Sequence, residues 1–197
     1  MISKAPLPKY SILQKFKLFK LGIKKWDIPT YTTANELLKL YELAKLLKPN
    51  SIGVEIGSYI GASSLLIANG LSGQSKLYCI DTWENDAMAE GNWDTYGVFE
   101  KNISQVKNKI IPLKSNSVDA AKDFDKQIDF LFIDGDHSYE GAKADVDSWF
   151  GKLKSGGIII MHDIEWAEGV IRVVEEDIKP QLRNFNQLPN MFWGWKK

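Results

Sequence analysis

The sequence predicts a doubly wound α/β fold, in which helices cover both faces of a mostly parallel sheet. Beyond Pro49, short runs of apolar residues alternate with segments of helical pattern. The runs are apolar on both sides of a strand, which is typical of parallel strands buried between two layers of helices. At the end of the chain, "NFNQL" and "MFWGWKK" flank Pro189 and Asn190 like the two arms of an antiparallel pair. We therefore expect the sheet to close with an antiparallel strand.

The elements of this fold follow in chain order. The predicted strands are "SIGVEIG", "KLYCID", "KIIPLKS", "DFLFID" and "GGIIIMHD". The predicted helices between and after them are "ASSLLIANGL", "VFEKNISQVK", "VDAAKDF", "YEGAKADVDSWFGKL" and "GVIRVVEEDIKPQL". This alternation gives each pair of parallel strands the crossover connection that it requires.

A lysine-rich segment precedes the α/β pattern. Over residues 9–26, apolar side chains recur at alternating spacings of four and three, which predicts one face of a helix: Ile12, Phe16, Phe19, Ile23 and Trp26. Pro29 ends that pattern, and a second helix then begins with Thr32 or Thr33 as its N-cap and stops at Pro49. We divide the chain into a basic helical leader, residues 1–31, and a main domain, residues 32–197.

Composition excludes several classes of protein. With 197 residues and 44% hydrophobic content, the chain can bury a substantial core. Basic and acidic residues number 25 each, so the overall charge gives no reason to expect a nucleic-acid partner. Cys79 is the only cysteine, which excludes an internal disulfide and a thiolate zinc cluster. The sequence shows no apolar run long enough for a bilayer span and no secretory signal, so we expect a cytoplasmic protein.

Chemically active side chains collect where the predicted strands end. In doubly wound sheets, ligands bind beyond the carboxyl ends of the strands, near the point where the strand order reverses. The five predicted strands end at Glu55 and Gly57, at Asp81, at residues 115–117, at residues 134–137, and at His162 with Asp163. Both histidines of the chain, His137 and His162, belong to this set. The pattern predicts a binding and catalytic site along one edge of the sheet.

The first strand-to-helix turn, "VEIGSYIGASS", indicates a ligand that approaches the backbone. Gly57 and Gly61 can take a positive φ there, and the helix that follows offers free N–H groups. The second glycine of a dinucleotide fingerprint is missing, because Ser58 and Tyr59 occupy its place. The turn therefore does not favour NAD.

Two acidic residues refine the chemistry of that ligand. Glu55 would repel a pyrophosphate but can pair with an ammonium group. Asp81, at the end of the next strand, can accept hydrogen bonds from the hydroxyls of a ribose. Together they favour a nucleoside that carries an amino acid.

At this point the chain resembles a known family. The motifs "VEIGSYIGASS", "CIDTWEND", "LKSNS", "LFIDGDHSYEGAKADVDSW" and "GGIIIMHD" are similar, in this order, to those of class I S-adenosylmethionine-dependent methyltransferases. Within that class they look most like the branch that contains macrocin O-methyltransferase and the cephalosporin hydroxylase-like proteins. The resemblance covers about residues 33–197. It implies a Rossmann-like, seven-stranded sheet whose last strand is antiparallel.

The resemblance also implies positions for the parts of the cofactor, S-adenosylmethionine. It places Glu55 and Gly57 at the methionine end, Asp81 at the ribose, and Asn116 with Ser117 at the adenine. The other residues expected to bind the cofactor are Ser58, Tyr59, Gly61, Thr82, Trp83 and Asp134.

Asp134, His162 and Asp163 end neighbouring predicted strands and should face one another. Two carboxylates and an imidazole form a hard donor set suited to Mg²⁺, or to Mn²⁺ if the imidazole participates. A divalent ion can lower the pKa of a hydroxyl and fix its position for methyl transfer. The similar family carries metal ligands at equivalent strand ends, although His162 stands where an acid or an amide is usual. We therefore expect a divalent metal at these three residues.

His137 lies just beyond these acids, where an approaching hydroxyl would need a base. The ordinary pKa of histidine, about 6.5, suits that role. We therefore assign His137 and Asp134 as the catalytic residues. The alternative is that Asp136 and His137 only cap the helix that follows.

The connection after the second strand, "DTWENDAMAEGNWDTYGVF", is long for such a fold. Long loops at a binding edge are often lids. Trp83, Trp93 and Tyr96 would then form an apolar wall over the ligands, with Glu84 and Asp86 facing sugar hydroxyls. The alternative is a packed loop that uses its aromatic residues as anchors.

Together these features predict an O-methyltransferase that uses S-adenosylmethionine on a hydroxyl of a sugar or a sugar-bearing small molecule. One alternative is an NAD-dependent α/β oxidoreductase, which would need room for a pyrophosphate at Gly57. Another is a non-catalytic scaffold protein that retains the cofactor pocket. The features from which this function is predicted all lie in the main domain.

The lysine-rich leader leaves three alternatives open. It docks on an anionic membrane surface, packs against its own domain or a second subunit, or binds a phosphorylated carrier. Its phenylalanine, leucine and isoleucine content favours packing or a homodimer, with peripheral membrane contact as the rival.

Overall fold

The computed structural model describes residues 5–84 and 93–197. Its central feature is a seven-stranded sheet in the order β3-β2-β1-β4-β5-β7-β6. The strands are β1 Ile52–Ile56, β2 Lys76–Asp81, β3 Ile110–Lys114, β4 Ile128–Ile133, β5 Leu153–His162, β6 Leu182–Leu188 and β7 Met191–Lys196. Strand β7 runs antiparallel to both of its neighbours, and the other pairings are parallel. The predicted sheet, including its antiparallel last strand, is confirmed.

Helices cover both faces of the sheet, as the doubly apolar strands require. The helices are α1 Ile12–Lys20, α2 Ala34–Lys45, α3 Ala62–Gly70, α4 Tyr96–Asn102, α5 Ser117–Lys122, α6 Tyr139–Trp149 and α7 Glu168–Val173. One hydrophobic cluster joins the sheet to α2, α3 and the leader. A second cluster joins the opposite face to α5, α6 and α7. The sheet is therefore sandwiched between two helical layers.

The strand register brings the predicted site residues to one edge. Ile56 of β1 is level with Ile80 of β2 on one side and with Ile133 of β4 on the other. Ile133 is in turn level with Met161 of β5. The chain winds outward in opposite directions from β1 and β4, so the strand order reverses between them. The residues that follow these strands therefore surround the switch point, where ligands of such sheets bind.

The N-terminal helices are defined by capping boxes. Ser11 caps α1 and exchanges hydrogen bonds with Gln14, and Thr33 caps α2 in the same way with Glu36. The expected N-cap Thr33 is thus confirmed, but the single helix predicted over residues 9–26 is wrong beyond Lys20. Gly22 takes a positive φ of 72° and turns the chain out of the helix.

The leader is anchored to the main domain by only part of its apolar content. Leu18, Ile23 and Ile28 are fully buried in the cluster that also holds α2 and α3. The division at residue 31 stays a prediction. Within the described ranges, no helix combines the length and the apolarity that crossing a bilayer would require.

Candidate active site

A cleft of about 840 Å³ opens at the carboxyl edge of the sheet, between β1 and β4. Its walls come mainly from the ends of β1, β2, β4 and β5, the segment after β3, and residues 30–32 at the junction of the leader and the main domain. That volume lies within the usual range of small-molecule sites. The cleft holds eight of the eleven residues expected to bind the cofactor: Gly57, Ser58, Tyr59, Asp81, Thr82, Asn116, Ser117 and Asp134.

The turn between β1 and α3 needs glycine at two positions. Gly57 has φ +82°, and a Cβ there would lie 2.6 Å from the carbonyl carbon of Asp134. Gly61, the N-cap of α3, has φ +89°, and a Cβ there would lie 2.9 Å from the side chain of Ile103. A side chain at either position would be strained by both φ and contact. Gly57 lines the cleft, whereas Gly61 lies outside its wall and shapes the start of α3.

Asp81 fixes two turns at the side of the cleft where the ribose is expected. Its Oδ2 accepts a hydrogen bond of 2.7 Å from the amide of Tyr59, and its Oδ1 accepts one of 2.6 Å from the amide of Trp83. Both of those residues have positive φ, 46° and 52°, which is unusual for large side chains. The carboxylate therefore fixes two strained turns. Because a carboxylate can accept about four hydrogen bonds, Asp81 can also receive ligand hydroxyls.

Glu55 lies beneath the β1–α3 turn and outside the cleft wall. The residue is fully buried, and Oε2 accepts hydrogen bonds from Ser58 at 2.9 Å and from Ser64 and Cys79. Burial raises the pKa of Glu55, although neighbouring serine hydroxyls oppose that shift. Serine hydroxyls hold the carboxylate under the turn, and its expected contact with the methionine end of the cofactor stays a prediction.

The side of the cleft where the adenine is expected contains an acid that sequence reasoning did not single out. Asp145, on α6, accepts a hydrogen bond from the hydroxyl of Ser117 and lines the cleft. Burial raises the pKa of Asp145 to about 6. Asn116 caps α5 by accepting a hydrogen bond of 2.9 Å from the amide of Asp119. Asp145 is far from any strand end in sequence, and only the packing of α6 on α5 brings it to the expected adenine position.

Four residues form what we call the acidic cluster: Glu36, Asp134, His162 and Asp163. His162 Nδ1 lies 3.1 Å from Asp134 and 3.4 Å from Asp163, and Nε2 lies 3.4 Å from Glu36. The predicted meeting of Asp134, His162 and Asp163 is therefore seen. Burial would lower the pKa of His162, but the surrounding carboxylates outweigh it and raise the pKa well above the ordinary value.

Asp163 links the acidic cluster to His137. Its Oδ2 is 2.8 Å from His137 Nε2, and its Oδ1 accepts hydrogen bonds from Trp166 at 2.8 Å and Asn190 at 3.0 Å. Burial would raise the pKa of Asp163, but His137 and His162 hold it far below its usual range. The φ of Asp163 is +62°, a strained conformation of the kind that recurs at functional sites.

His137 lines the cleft and is partly exposed. The hydrogen bond with Asp163 raises the pKa of His137, against the effect of burial. With Nε2 directed at Asp163, Nδ1 is the ring nitrogen that can take a proton from a ligand. Asp136 instead accepts a hydrogen bond of 2.7 Å from the amide of Ser138, the N-cap of α6. Capping therefore involves Asp136 and Ser138, while His137 faces the cleft.

The aromatic residues of the β2–α4 loop act as anchors in the part that the structure describes. Trp83 is fully buried and packs against Tyr96 and Phe99, with ring centroids 4.9 and 4.8 Å away. Its indole donates a hydrogen bond of 2.9 Å to the carbonyl of Tyr59. The Trp83 ring is thus packed in the core and outside the cleft wall, and its expected contact with the cofactor stays a prediction.

The lid stays a prediction, because the middle of this loop, residues 85–92, lies outside the described residues. Trp93 and Tyr96 lie outside the wall of the cleft, and Glu84 is exposed. The backbone N–H of Trp93 donates a hydrogen bond of 2.9 Å to the carbonyl of Glu84. Asp86 lies outside the described residues.

Several cleft residues were missed by sequence reasoning because they come from unexpected elements. Thr30, Tyr31 and Thr32, at the junction of the leader and the main domain, line the cleft, as do Trp166 and Asn190 from the segments just before α7 and β7. The direct hydrogen bonds of Trp166 and Asn190 to Asp163 give them a role in holding the acidic cluster. The sequence offered one signal for the last two: Trp166 lies three residues after "MHD", and Asn190 lies directly before "MFWGW".

Comparison with known proteins agrees with this geometry. A family model described as a methyltransferase domain matches residues 54–164. An uncharacterized protein, y4gI, of Sinorhizobium fredii is 30% identical over 166 residues, which are 77% of this chain but only 18% of the relative. The chain therefore spans less than a fifth of that relative's length.

Solved structures share the fold at low sequence identity. The O-methyltransferase of Bacillus cereus in complex with SAH superposes with a TM-score of 0.67 at 15% identity, over 95% of this chain and 92% of that one. The O-methyltransferase TomG of Streptomyces achromogenes in complex with SAM gives a TM-score of 0.65 at 15% identity, over 97% and 92%. With its matching domain model, its sheet order and its cleft at the switch point, the chain belongs to the class I S-adenosylmethionine-dependent methyltransferases.

Proposed function

We propose that this protein transfers the methyl group of S-adenosylmethionine to a hydroxyl of a sugar or a sugar-bearing small molecule. The observation that carries the proposal is that one cleft is lined both by Gly57 and Asp81 of the expected cofactor turns and by His137 and three members of the acidic cluster, Asp134, His162 and Asp163. The solved relatives with bound SAM or SAH support this choice of cofactor. The missing second glycine and the two turns fixed by Asp81 favour a single nucleoside over NAD.

Methyl transfer is a direct displacement at carbon. The acceptor oxygen attacks the methyl carbon as the bond to sulfur breaks, which yields S-adenosylhomocysteine, a methyl ether and one proton. We assign that proton to Nδ1 of His137, because Nε2 is held by Asp163 at 2.8 Å. The resulting imidazolium would be stabilised by Asp163, so the pair functions as a base and its orienting carboxylate.

The donor set fits a divalent cation, which we propose as an assistant to this reaction. Ligand atoms of Asp134, His162 and Asp163 all lie within 4.8 Å of one another, and two carboxylates with an imidazole suit Mg²⁺ or Mn²⁺. When bound there, such an ion supplies charge that favours the alkoxide form of an acceptor hydroxyl. Both ring nitrogens of His162 contact carboxylates, so a cation must displace a proton from His162.

The polar cleft mouth supports a hydroxylated acceptor. Thr30, Tyr31, Thr32, Trp166 and Asn190 line the same cleft as His137 and Asp163. Hydroxyl and amide groups beside an indole are suited to bind both the polar edge and the apolar face of a sugar ring.

The test is a methyl-transfer assay that detects S-adenosylhomocysteine with three acceptor groups: free monosaccharides, nucleotide-linked sugars and simple catechols. We expect turnover with a sugar acceptor, higher with Mg²⁺ or Mn²⁺ than with EDTA. Turnover with catechols alone would contradict the acceptor class. Binding of NAD without binding of S-adenosylmethionine would contradict the reaction.

A variant of Asp134 distinguishes loss of the metal site from loss of the cofactor site. Asp134→Asn should abolish turnover and weaken Mn²⁺ binding, measured by electron paramagnetic resonance, while S-adenosylhomocysteine affinity changes little. Asp147→Asn is the matched control, since that exposed carboxylate pairs with Lys143 outside the cleft. If Asp134→Asn keeps full turnover and Mn²⁺ affinity, no metal acts at this cluster.

A further inference from the structure

Helix α1 presents its apolar side to solvent. Ile12, Leu13, Phe16 and Phe19 are 87%, 81%, 54% and 72% exposed, and Leu18 is the buried residue of the helix. Ile12, Phe16 and Phe19 follow the spacing of four and three that places side chains on one face of a helix. A surface helix normally buries such a stripe against its own core. Here the orientation is reversed.

The reversed orientation is fixed by polar contacts on the opposite side of α1. Gln14 donates a hydrogen bond of 2.7 Å to Asn35, and Lys17 forms an ion pair of 2.9 Å with Glu42. Leu18 enters the core on the same side. Packing on the chain's own domain, one of the expected roles of the leader, therefore accounts for Leu18 but leaves the apolar stripe uncovered.

Positive charge surrounds this exposed stripe. Residues 1–26 contain seven lysines and no acidic residue. Lys15 and Lys20 are exposed on α1, and the Lys20 ammonium lies 4.6 Å from the centre of the Phe16 ring. Within the described ranges, neither lysine forms an ion pair with a carboxylate. The stripe and its lysines therefore complement a surface that is both apolar and negatively charged.

A second copy of the chain fits this surface poorly. A two-fold contact places the same patch on both sides, so it would bring the lysines of one leader against those of the other. Like charges facing each other across an interface oppose association. An anionic lipid surface has no such conflict, because it offers acyl chains to the apolar residues and negative headgroups to the lysines.

We propose that α1 docks this protein on an anionic lipid bilayer, with Phe16 and Phe19 inserted at the boundary between headgroups and acyl chains. Lysines at the edges of the stripe, such as Lys15 and Lys20, contact the headgroups. A helix of nine residues is far too short to span a bilayer, so it lies along the surface. Binding through a single short helix is reversible and weakens as salt screens the lysines.

The test is co-sedimentation of the full chain with vesicles of phosphatidylcholine, with and without phosphatidylglycerol. We expect binding to the anionic vesicles, weaker binding to the neutral ones, and release by added salt. Phe16→Ser/Phe19→Ser should lower the partition coefficient by about tenfold or more for each phenylalanine. Lys15→Glu/Lys20→Glu should lower it by about tenfold or more.

Matched controls keep this experiment specific. Phe185→Ser removes a phenylalanine of similar exposure, 53%, from β6. Lys122→Glu/Lys126→Glu reverses two exposed lysines on and just after α5, which packs on the opposite face of the sheet. Both controls should bind vesicles like the natural chain, and thermal unfolding shows whether each variant folds.

Three results would overturn the proposal. The first is absence of binding of the natural chain to anionic vesicles at low salt. The second is equal binding by folded Phe16→Ser/Phe19→Ser. The third is a dimer in sedimentation equilibrium that dissociates in that variant while vesicle binding is absent, since this would assign the stripe to a second copy.

Discussion

Substitution of Asp81 by asparagine tests how the cofactor side of the cleft is built. In the natural protein, each carboxylate oxygen accepts one backbone N–H, from Tyr59 at 2.7 Å and from Trp83 at 2.6 Å. Asparagine has one acceptor oxygen, and its NH₂ group would face the other N–H donor. The variant therefore loses one charge-assisted hydrogen bond and places two donors against each other.

The expected effect follows from that lost bond. A hydrogen bond to a charged group contributes about 1.5–3 kcal/mol. Tyr59 and Trp83 have positive φ, 46° and 52°, so the turn that loses its hydrogen bond should relax from this strained conformation. The cofactor can bind only after the turn is restored. The dissociation constant of S-adenosylhomocysteine should therefore rise by roughly 10- to 150-fold, before any lost ribose contact is added.

Isothermal titration calorimetry of both forms measures this change. Asp129→Asn is the matched control, because Asp129 also holds a strand amide, that of Ile52 at 2.9 Å, but at the opposite end of the sheet. The control should lose stability without losing affinity. If Asp81→Asn binds S-adenosylhomocysteine within twofold of the natural chain, the assigned role of Asp81 is refuted.

Three further predictions concern the turn, the adenine side and the base. Gly57→Ala should destabilise the fold by roughly 3 kcal/mol or more in urea unfolding, because the new Cβ would clash with the backbone of Asp134. Gly22→Ala is the control: its φ is also positive, +72°, but the space around it is open, so it should cost about 1 kcal/mol. Burial raises the pKa of Asp145 from 3.8 to about 6, so this carboxylate is destabilising above about pH 6 and not below about pH 4. Asp145→Asn should therefore raise the melting temperature at about pH 8, by an amount that corresponds to up to about 3 kcal/mol, and leave it unchanged at about pH 4. A variant that melts at the same temperature as the natural chain at both pH values would contradict this. The hydrogen bond to Asp163 raises the pKa of His137, so kcat should fall as the pH drops below that raised pKa. His137→Gln should lower kcat by roughly 10²–10⁴-fold and remove this dependence on pH. An unchanged pH profile in the variant would exclude His137 as the base.

Local pattern predicted the sheet because each buried strand carries its own signal. Runs such as "DFLFID" and "GGIIIMHD" are apolar on both faces and end on polar residues. Parallel strands place those ends at one edge, so Asp134, His162 and Asp163 could be grouped without coordinates. The same reasoning placed His137 and Asp81 in the cleft.

The parts that were missed depend on tertiary packing. Glu55 near the end of β1 and Trp83 just after β2 lie outside the cleft wall, because serine hydroxyls hold the Glu55 carboxylate and aromatic rings pack against Trp83. Glu36 and Asp145 reach the site from helices α2 and α6, and neither residue lies near a strand end, where sequence reasoning looked for site residues. Periodicity alone also cannot say which side of an amphipathic helix meets the core. The orientation of α1 was therefore beyond prediction.

The most direct test is a crystal structure of the protein with S-adenosylhomocysteine and Mn²⁺. The proposal depends on the cofactor and the acidic cluster sharing one cleft. We predict that the ribose hydroxyls lie against Asp81, the adenine near Ser117, and the sulfur on the side that faces His137 and Asp134. A ligand bound outside this cleft, or a sulfur directed away from His137, would contradict the proposed chemistry.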